Sequence, residues 1–292
     1  MSTQTVAYLG PEASFTHLAS KELFEHETLV PIRTIPECIE AVVSGKVDIA
    51  VVPIENALEG TVPLTIDYLF HEADLYVIAE IQAPIEQHLM VHPLHKKHWE
   101  EITTIYSHPH ALAQCHKYLY YRFGQVPLDQ STSTAAAAKF VSENEQLCIG
   151  AIGNASAAKE YGLEIVEHNI HDFHFNHTRF FVVSRDNHCI QKPMHTGQVK
   201  TTVMVTLPKD DRSGALHQVL SVFTWRQLNL SKIESRPLKT GLGNYFFIIE
   251  VLEDEKVPMM RGAMEELQAL GCEVKSLGSY YTYETKKEVA TF

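Results

Sequence analysis

The sequence predicts an α/β protein built on parallel sheets, followed by a smaller unit whose elements run β, α, β, β, α, β. Three observations carry this. Along residues 1–190, apolar runs rich in Val and Ile alternate with segments of helical spacing, the pattern of strands joined by crossover helices. Residues 47–54 (VDIAVVPI) form an apolar run of the kind buried on both faces of a parallel sheet. Charge also divides unevenly: residues 1–190 hold 11 Lys plus Arg against 24 Asp plus Glu, a net −13, whereas residues 191–292 hold 13 against 12, a net +1. Such asymmetry predicts two units with different work.

In chain order, residues 5–9 read as a strand, and Phe15, Leu18, Ala19 and Leu23 follow at helical spacing. Further strands are expected at 47–54, 76–81, 87–91, 102–106, 147–152, 163–166 and 179–183. Helices are expected at 35–44, 110–123, 134–142 and 155–161. The polar stretch 188–200, with Pro193 and Gly197, reads as a linker. Beyond it come a strand at 201–207, a helix at 214–226, strands at 228–234 and 245–251, a helix at 258–270 and a strand at 274–283. That order fits a ferredoxin-like sandwich. So short a unit leaves one sheet face needing cover, which favours pairing with a second copy.

Composition narrows the function. The chain has 292 residues and a net charge of −12 with His neutral. A general nucleic-acid binder needs the opposite sign to displace counterions from phosphates, and an anionic membrane surface is equally disfavoured. No apolar run approaches the roughly 18 residues of a spanning helix, and the start MSTQTVAYLG lacks a basic region followed by an apolar stretch. A cytoplasmic location is therefore expected. Five widely spaced cysteines with no C-x-x-C pair fit reduced thiols.

Chemistry-bearing residues gather where strands end and helices begin. Gly10 to Thr16, Glu55-Asn56, Ser107 to His110, Ser131 to Thr134, and Asn154 with Ser156 all occupy such corners. Ligands of open α/β sheets collect there, and helix N-termini offer free N–H groups to anions. Ser, Thr and Asn are equally the standard helix caps, so each corner has two readings. Arg179, one of only four arginines in residues 1–190, opens an apolar strand and needs an anionic partner, either a nearby carboxylate or that of a bound substrate. His92, His95 and His98, and His168, His171, His174 and His177, recur at spacings of three but lack an H-E-x-x-H pattern or a Cys partner, so no metal is expected. No P-loop, G-x-G-x-x-G or G-x-S-x-G motif occurs, and no cofactor is expected.

Six segments, GPEASFTHLA (10–19), DIAVVPIENALEGTV (48–62), SHPHALAQC (107–115), STSTAAA (131–137), AIGNASAAKEYGL (151–163) and NHTRF (176–180), together resemble the prephenate dehydratase family along essentially the whole chain. The resemblance implies a type 2 periplasmic-binding-protein-like catalytic domain over 1–187: two α/β lobes, with the active site between them and the chain crossing near 79–85 and 163–171. The implied reaction is the decarboxylating dehydration of prephenate to phenylpyruvate in L-phenylalanine biosynthesis. Prephenate is a dianion whose loss of carbon dioxide and hydroxide makes an aromatic ring, so the enzyme must help hydroxide leave while holding both carboxylates. The resemblance ties catalysis to Thr178, with Arg179 and Phe180 completing the motif. Thr178 reads as a donor to the leaving hydroxyl, and Glu55 as a candidate acid if burial raises its pKa, or else as a structural acceptor. Ser14, Thr16, Asn56, Ser107, Gln114, Ser133 and Thr134 are expected to bind substrate. The sequence departs from the family pattern at Ala57, where Ser is frequent, and at Ala13-Ser14, which replaces Gly-Thr.

Residues 201–283 resemble the ACT regulatory domain, with 284–292 as a tail. Gly214, Ala215, Leu216 and His217 at a helix start, and Glu234, Ser235 and Arg236 at a strand end, resemble its two phenylalanine-binding motifs. The implied partners are prephenate, L-phenylalanine as feedback effector, and a second copy in a homo-oligomer, with no nucleic acid or membrane. Arogenate dehydratase is a close alternative, and a non-catalytic amino-acid-responsive binding protein a more distant one. The intact Thr178-Arg179-Phe180 favours an enzyme.

Overall fold

The structure is a computed structural model and describes residues 4–188, 190, 197–208, 213–239 and 244–285. The first lobe contains β1 (Thr5–Leu9), α1 (Phe15–Leu23), β2 (Thr28–Ile32), α2 (Ile35–Val43), β3 (Ile49–Asn56), the short β4 (Gly60–Thr61), α3 (Pro63–His71) and β5 (Tyr76–Pro84). The second lobe contains β6 (His88–Val91), a 3₁₀ segment at Pro93–Glu101, β7 (Thr104–Ser107), α4 (Pro109–Gln114), α5 (His116–Phe123), β8 (Leu128–Gln130), α6 (Thr134–Glu143), β9 (Ile149–Gly153), α7 (Ala155–Glu160) and β10 (Glu164–Glu167). β11 (His177–Ser184) then returns to the first lobe.

The two lobes repeat one topology. The first sheet runs β5-β11-β3-β1-β2 and the second β10-β6-β9-β7-β8. In each, four strands run one way, and one strand arriving from the other lobe runs antiparallel between two of them. The chain crosses at 85–87 and 168–176, a few residues beyond the expected crossings, because β5 stays paired as far as Pro84. The predicted helix at 110–123 is two helices, broken at Cys115 (φ −109°, ψ 18°). β2, β8 and α3 were not visible as patterns. β2 (TLVPI) is half exposed and carries a proline, β8 has three exposed residues, and α3 starts on Pro63 with no side-chain cap.

The last unit comprises β12 (Val199–Thr206), α8 (Ala215–Trp225), β13 (Leu230–Pro237), β14 (Tyr245–Val251), α9 (Pro258–Ala269) and β15 (Val274–Glu284). Its strands run β13-β14-β12-β15, all antiparallel, which is the ferredoxin-like arrangement. β12 begins at Val199, inside the expected linker, most of which lies outside the described residues, as does nearly all of the expected tail.

The expectation that a second copy covers the open sheet face is corrected by the packing. One face, with Val203, Val205, Phe247 and Ile249, packs on α8 and α9 through Val219, Val222, Phe223, Met260 and Leu267. The other, with Met204, Phe246, Ile248, Leu277 and Tyr280, merges with Ile54, Ile66, Leu69 and Phe181 of the first lobe in one core. The end of β15 pairs in parallel with β5, Thr282 opposite Glu80, so the sheet of the last unit continues that of the first lobe. Cover therefore comes from within the chain.

Candidate active site

A cleft of about 730 Å³ opens between the lobes. Ser14, Thr16, Arg33, Asn56, Thr61, Thr178 and Phe180 line it from the first lobe, His108, His110, Gln114, Ser133 and Thr134 from the second, and Gln87 from the crossing. Each of the two serines does both jobs considered for it. Ser14 Oγ accepts from His17 N at 3.2 Å and caps α1, Ser133 Oγ accepts from Ala136 N at 2.9 Å and caps α6, and both also face the cleft. Two helix N-termini thus meet at the cavity. Ala13, before the first cap, has φ of 58°, the left-handed region that glycine occupies without cost, so the family's glycine at this position has a conformational reason. Ala57 is exposed and held by its backbone N–H to His177 O at 2.9 Å, and its methyl group does not line the cleft.

Strand alternation and one irregularity decide which motif residues face the cavity. On β11, Thr178 and Phe180 point to the cleft while Arg179 points to the opposite face. On β3 the register shifts between the Arg179–Glu55 and Phe180–Pro53 pairs, which leaves Ile54 as an extra residue. Without that bulge Glu55 would share the cleft face with Pro53. With it, Asn56 takes the cleft position and Glu55 turns behind the sheet. Asn56 Nδ2 donates to Thr178 Oγ1 at 2.9 Å, while its Oδ1 accepts from Leu58 N and Glu59 N. Thr178 Oγ accepts there, so its own O–H proton is available for a ligand.

Three expected site residues lie away from the cavity. Arg179, its side chain 16% exposed, donates from Nη1 to Glu55 at 2.6 Å and from Nη2 to Glu80 and, at 2.7 Å, to Glu250. Of its two candidate partners, the structure supplies the protein carboxylates. Glu55 is bound by Arg179 and, at 3.0 Å, by Lys232 of the last unit. Burial pushes the Glu55 carboxyl up, but the hydrogen bond and charge of Lys232 and the charge of Arg179 outweigh it and hold the group below the usual carboxylate range. A carboxylate so held is a poor proton donor at neutral pH, which leaves the structural-acceptor reading. Ser107 is wholly buried, with Oγ donating to Ile152 O at 2.7 Å between neighbouring strands.

Gln114 lines the cleft as expected, whereas Gln87 and Arg33 escaped the sequence reading. Gln87 and Gln114 are 2% and 7% exposed and line the cleft, and the side-chain Oε1 of each is buried without a protein partner. Arg33 is the one Lys or Arg side chain among the described residues that lines the cavity. Only its place after β2, itself not visible as a strand, could have marked it.

In the last unit, alternation again separates neighbours. Gly214, at φ 87°, caps the start of α8, Ala215 is buried, Leu216 packs into the core beneath the helices, and His217 is exposed. Ser235 pairs with Phe247, so it lies on the helix-bearing face, whereas Glu234 and Arg236 pair with Ile248 and Phe246 and face the first lobe. Glu234 accepts from Thr61, and Arg236 contacts Asp67 at 3.3 Å. Adjacent strand residues point to opposite faces, so the side chains of Glu234 and Arg236 are separated from that of Ser235.

The crossing between lobes carries a pH-sensitive tie. Asn169 N donates to His88 Nδ1 at 3.0 Å and Gln87 N to His171 Nδ1 at 3.2 Å, joining the two passing segments. Burial, then the nearby His168 and His171, pulls His88 down to about 4 from an ordinary 6.5. An imidazole neutral in the fold but protonated in the unfolded chain gives stability that is full above pH 6.5 and lost as pH falls toward 4, up to about 3 kcal/mol. Thermal melts from pH 7 to 4 should fall steadily, and His88→Gln should flatten that slope. Parallel wild-type and variant curves would refute it.

Two mixed α/β lobes with capped helix starts, orphaned amides and an arginine around a deep cleft define a protein that encloses a small polar anion. The sequence pattern of the family described as Prephenate dehydratase matches residues 6–188. The chain is 54% identical over 283 residues to the prephenate dehydratase of Bacillus subtilis, covering 96% of this chain and 99% of that one. The crystal structure of the Arthrobacter aurescens prephenate dehydratase in complex with L-Phe superposes with a TM-score of 0.83 at 34% identity, covering 95% of this chain and 89% of that one. A protein described as a novel type of quorum quenching acylase, GqqA, superposes with a TM-score of 0.81 at 26% identity over 96% and 98% of the two chains, which shows how little the fold alone sets the reaction. The chain belongs to the prephenate dehydratase family and is a lyase acting in aromatic amino acid biosynthesis.

Proposed function

We propose that the cleft binds prephenate, that Thr178 donates to the departing ring hydroxyl, and that the last unit senses phenylalanine. The observation carrying the first two is the Asn56–Thr178 hydrogen bond, which uses the threonine oxygen as acceptor and turns its proton toward the cavity. The Arg33 guanidinium and the backbone N–H groups at the N-termini of α1 and α6 receive the two substrate carboxylates. Gln87 and Gln114 hydrogen-bond the ligand's remaining polar atoms, and Ser14, Thr16, Ser133 and Thr134 shape the walls. Phe180, 1% exposed, packs beneath. Carbon dioxide then leaves as the ring becomes aromatic, a step that needs little beyond orientation once hydroxide is assisted.

The lobe topology supports a type 2 periplasmic-binding-protein-like domain over 1–187, and the ferredoxin-like strand order supports an ACT domain over 201–283, working in the cytosol. Gly214 to His217 and Ser235 are the effector contacts retained from the sequence reading. Free Ile233 and Tyr245 side chains beside the sheet edge β13 suit a second copy. The similar structure holding L-Phe supports phenylalanine as the effector, which shifts the cleft between open and closed states.

The deciding assay incubates purified protein with prephenate or arogenate, with and without phenylalanine, and follows product. Phenylpyruvate formation inhibited by phenylalanine is the expected result. No product from prephenate would end the substrate reading, and indifference to phenylalanine the sensor reading. Because the lobes carry a net −13, affinity for a dianion must be local. Arg33→Ala should therefore raise KM about tenfold with kcat changed far less. An unchanged KM would remove Arg33 from the site.

A further inference from the structure

The last unit reaches the rim of the cleft through Lys232 and Glu234. On β13, Lys232, Glu234 and Arg236 share the face turned to the first lobe, with side chains only 15%, 27% and 20% exposed. Lys232 Nζ lies 3.0 Å from Glu55 Oε1, 2.9 Å from Thr61 Oγ1 and 3.4 Å from Glu234 Oε2, and Thr61 in turn donates to Glu234. Three acceptors match the three protons of an ammonium group. Glu55 and Thr61 are directly opposed in the β3–β4 hairpin, and Asn56 and Gly60 are the next pair. Lys232 therefore clasps both strands of the hairpin at its base, and the residue beyond the clasp is the asparagine that aims Thr178.

We propose that Lys232 is a positioning residue of the active site, supplied by the last unit, and that β13 is the element through which an effector on its helix-bearing face alters the cleft. The second half rests on the sensor reading above, and the first half does not. Ser235 on one face and Glu234 on the other are neighbours on a single strand, so a displacement of β13 moves the Lys232 and Glu234 grip on Thr61, which itself lines the cavity. Asn56, held through the backbone of Glu55, then loses its distance to Thr178. The contact at 2.6 Å between Glu55 and Arg179 is independent of Lys232, so the hairpin stays attached to the sheet when the lysine is removed.

The test compares Lys232→Met, Lys232→Arg and Thr61→Val with the wild type in the full-length protein. Kinetics with prephenate, thermal melting and calorimetric phenylalanine binding are read for each. Lys232→Met should lower kcat about tenfold with KM changed less than twofold, keep phenylalanine affinity within twofold, and lose most of the inhibition. Lys232→Arg, which can still reach two carboxylates, should recover at least half of kcat. Thr61→Val, which removes no charge, should reproduce the kcat loss more weakly. Wild-type kcat in Lys232→Met, or a fall in melting temperature alone with no change in the activity of folded enzyme, overturns the positioning role. Lowered kcat with full inhibition overturns the coupling through β13. A wild type that phenylalanine neither binds nor inhibits overturns the sensor reading and leaves the kcat result to stand or fall by itself.

Discussion

Thr178→Ala will lose about 10²–10³ in kcat, the usual cost of deleting a donor aimed at charge that develops in the transition state, while its melting temperature stays close to that of the wild type. The side chain is half-buried at the cleft wall, and among the described residues its hydrogen-bond partner is Asn56, so little stability is at stake. Thr178→Ser keeps the hydroxyl and should retain most of the rate. Steady-state kinetics on both variants, with melts alongside, make the measurement. A Thr178→Ala enzyme within threefold of wild type would take the hydroxyl out of the reaction. If Thr178→Ser were as slow as Thr178→Ala, the methyl group's packing would be the important property and the donor role would fail.

Arg179→Met, one residue further along, should do the reverse. Arg179 neutralises Glu55, Glu80 and Glu250, of which Glu80 and Glu250 are 0% and 3% exposed. Lys200 remains on Glu80 at 3.0 Å and Lys232 on Glu55, but Glu250 keeps only Ser231, at 3.5 Å, among the described residues. Breaking a buried pair by deleting one partner strands the other charge and typically costs about 3–5 kcal/mol. Denaturant titration should show a loss of that size, partly restored by adding Glu250→Gln, whereas KM measured on the folded fraction should change little. A stable Arg179→Met protein with a KM raised a hundredfold would show that the guanidinium binds substrate after all. Together the two variants separate adjacent residues of one motif into an active-site role and a structural one.

The two-unit division was legible in the charge split and the alternation of apolar runs, since both are local properties of the chain. The βαββαβ order of the last unit was equally legible, because each of its strands and helices has its own period. The corners at Ser14, Asn56, Ser133 and Thr178 were readable for a related reason: side chains that cap helices or end strands are short polar residues at fixed offsets. Hidden from the sequence were Arg33 and Gln87, which enter the cleft from a half-exposed strand and from the crossing segment. Nothing in their neighbours' spacing distinguishes them from surface residues. Ser107 illustrates the converse. Its motif looks like a binding corner, yet its hydroxyl is taken by the carbonyl of Ile152, 45 residues away.

What the sequence by itself determined is the class of fold, the family and two strips of chain, 55–57 and 177–180, that meet at the edge of the cleft. Only the tertiary structure decided which residues of those strips face the cleft. A single extra residue at Ile54 exchanges Glu55 for Asn56, and alternation on β11 sends Arg179 away from Thr178. The face a side chain takes depends on pairing with strands more than a hundred positions distant, and the partner of a buried charge depends on what the opposing sheet brings to it. Lys232 and Glu250 are such partners, contributed by a unit whose own sequence gives no sign that it leans on the cleft.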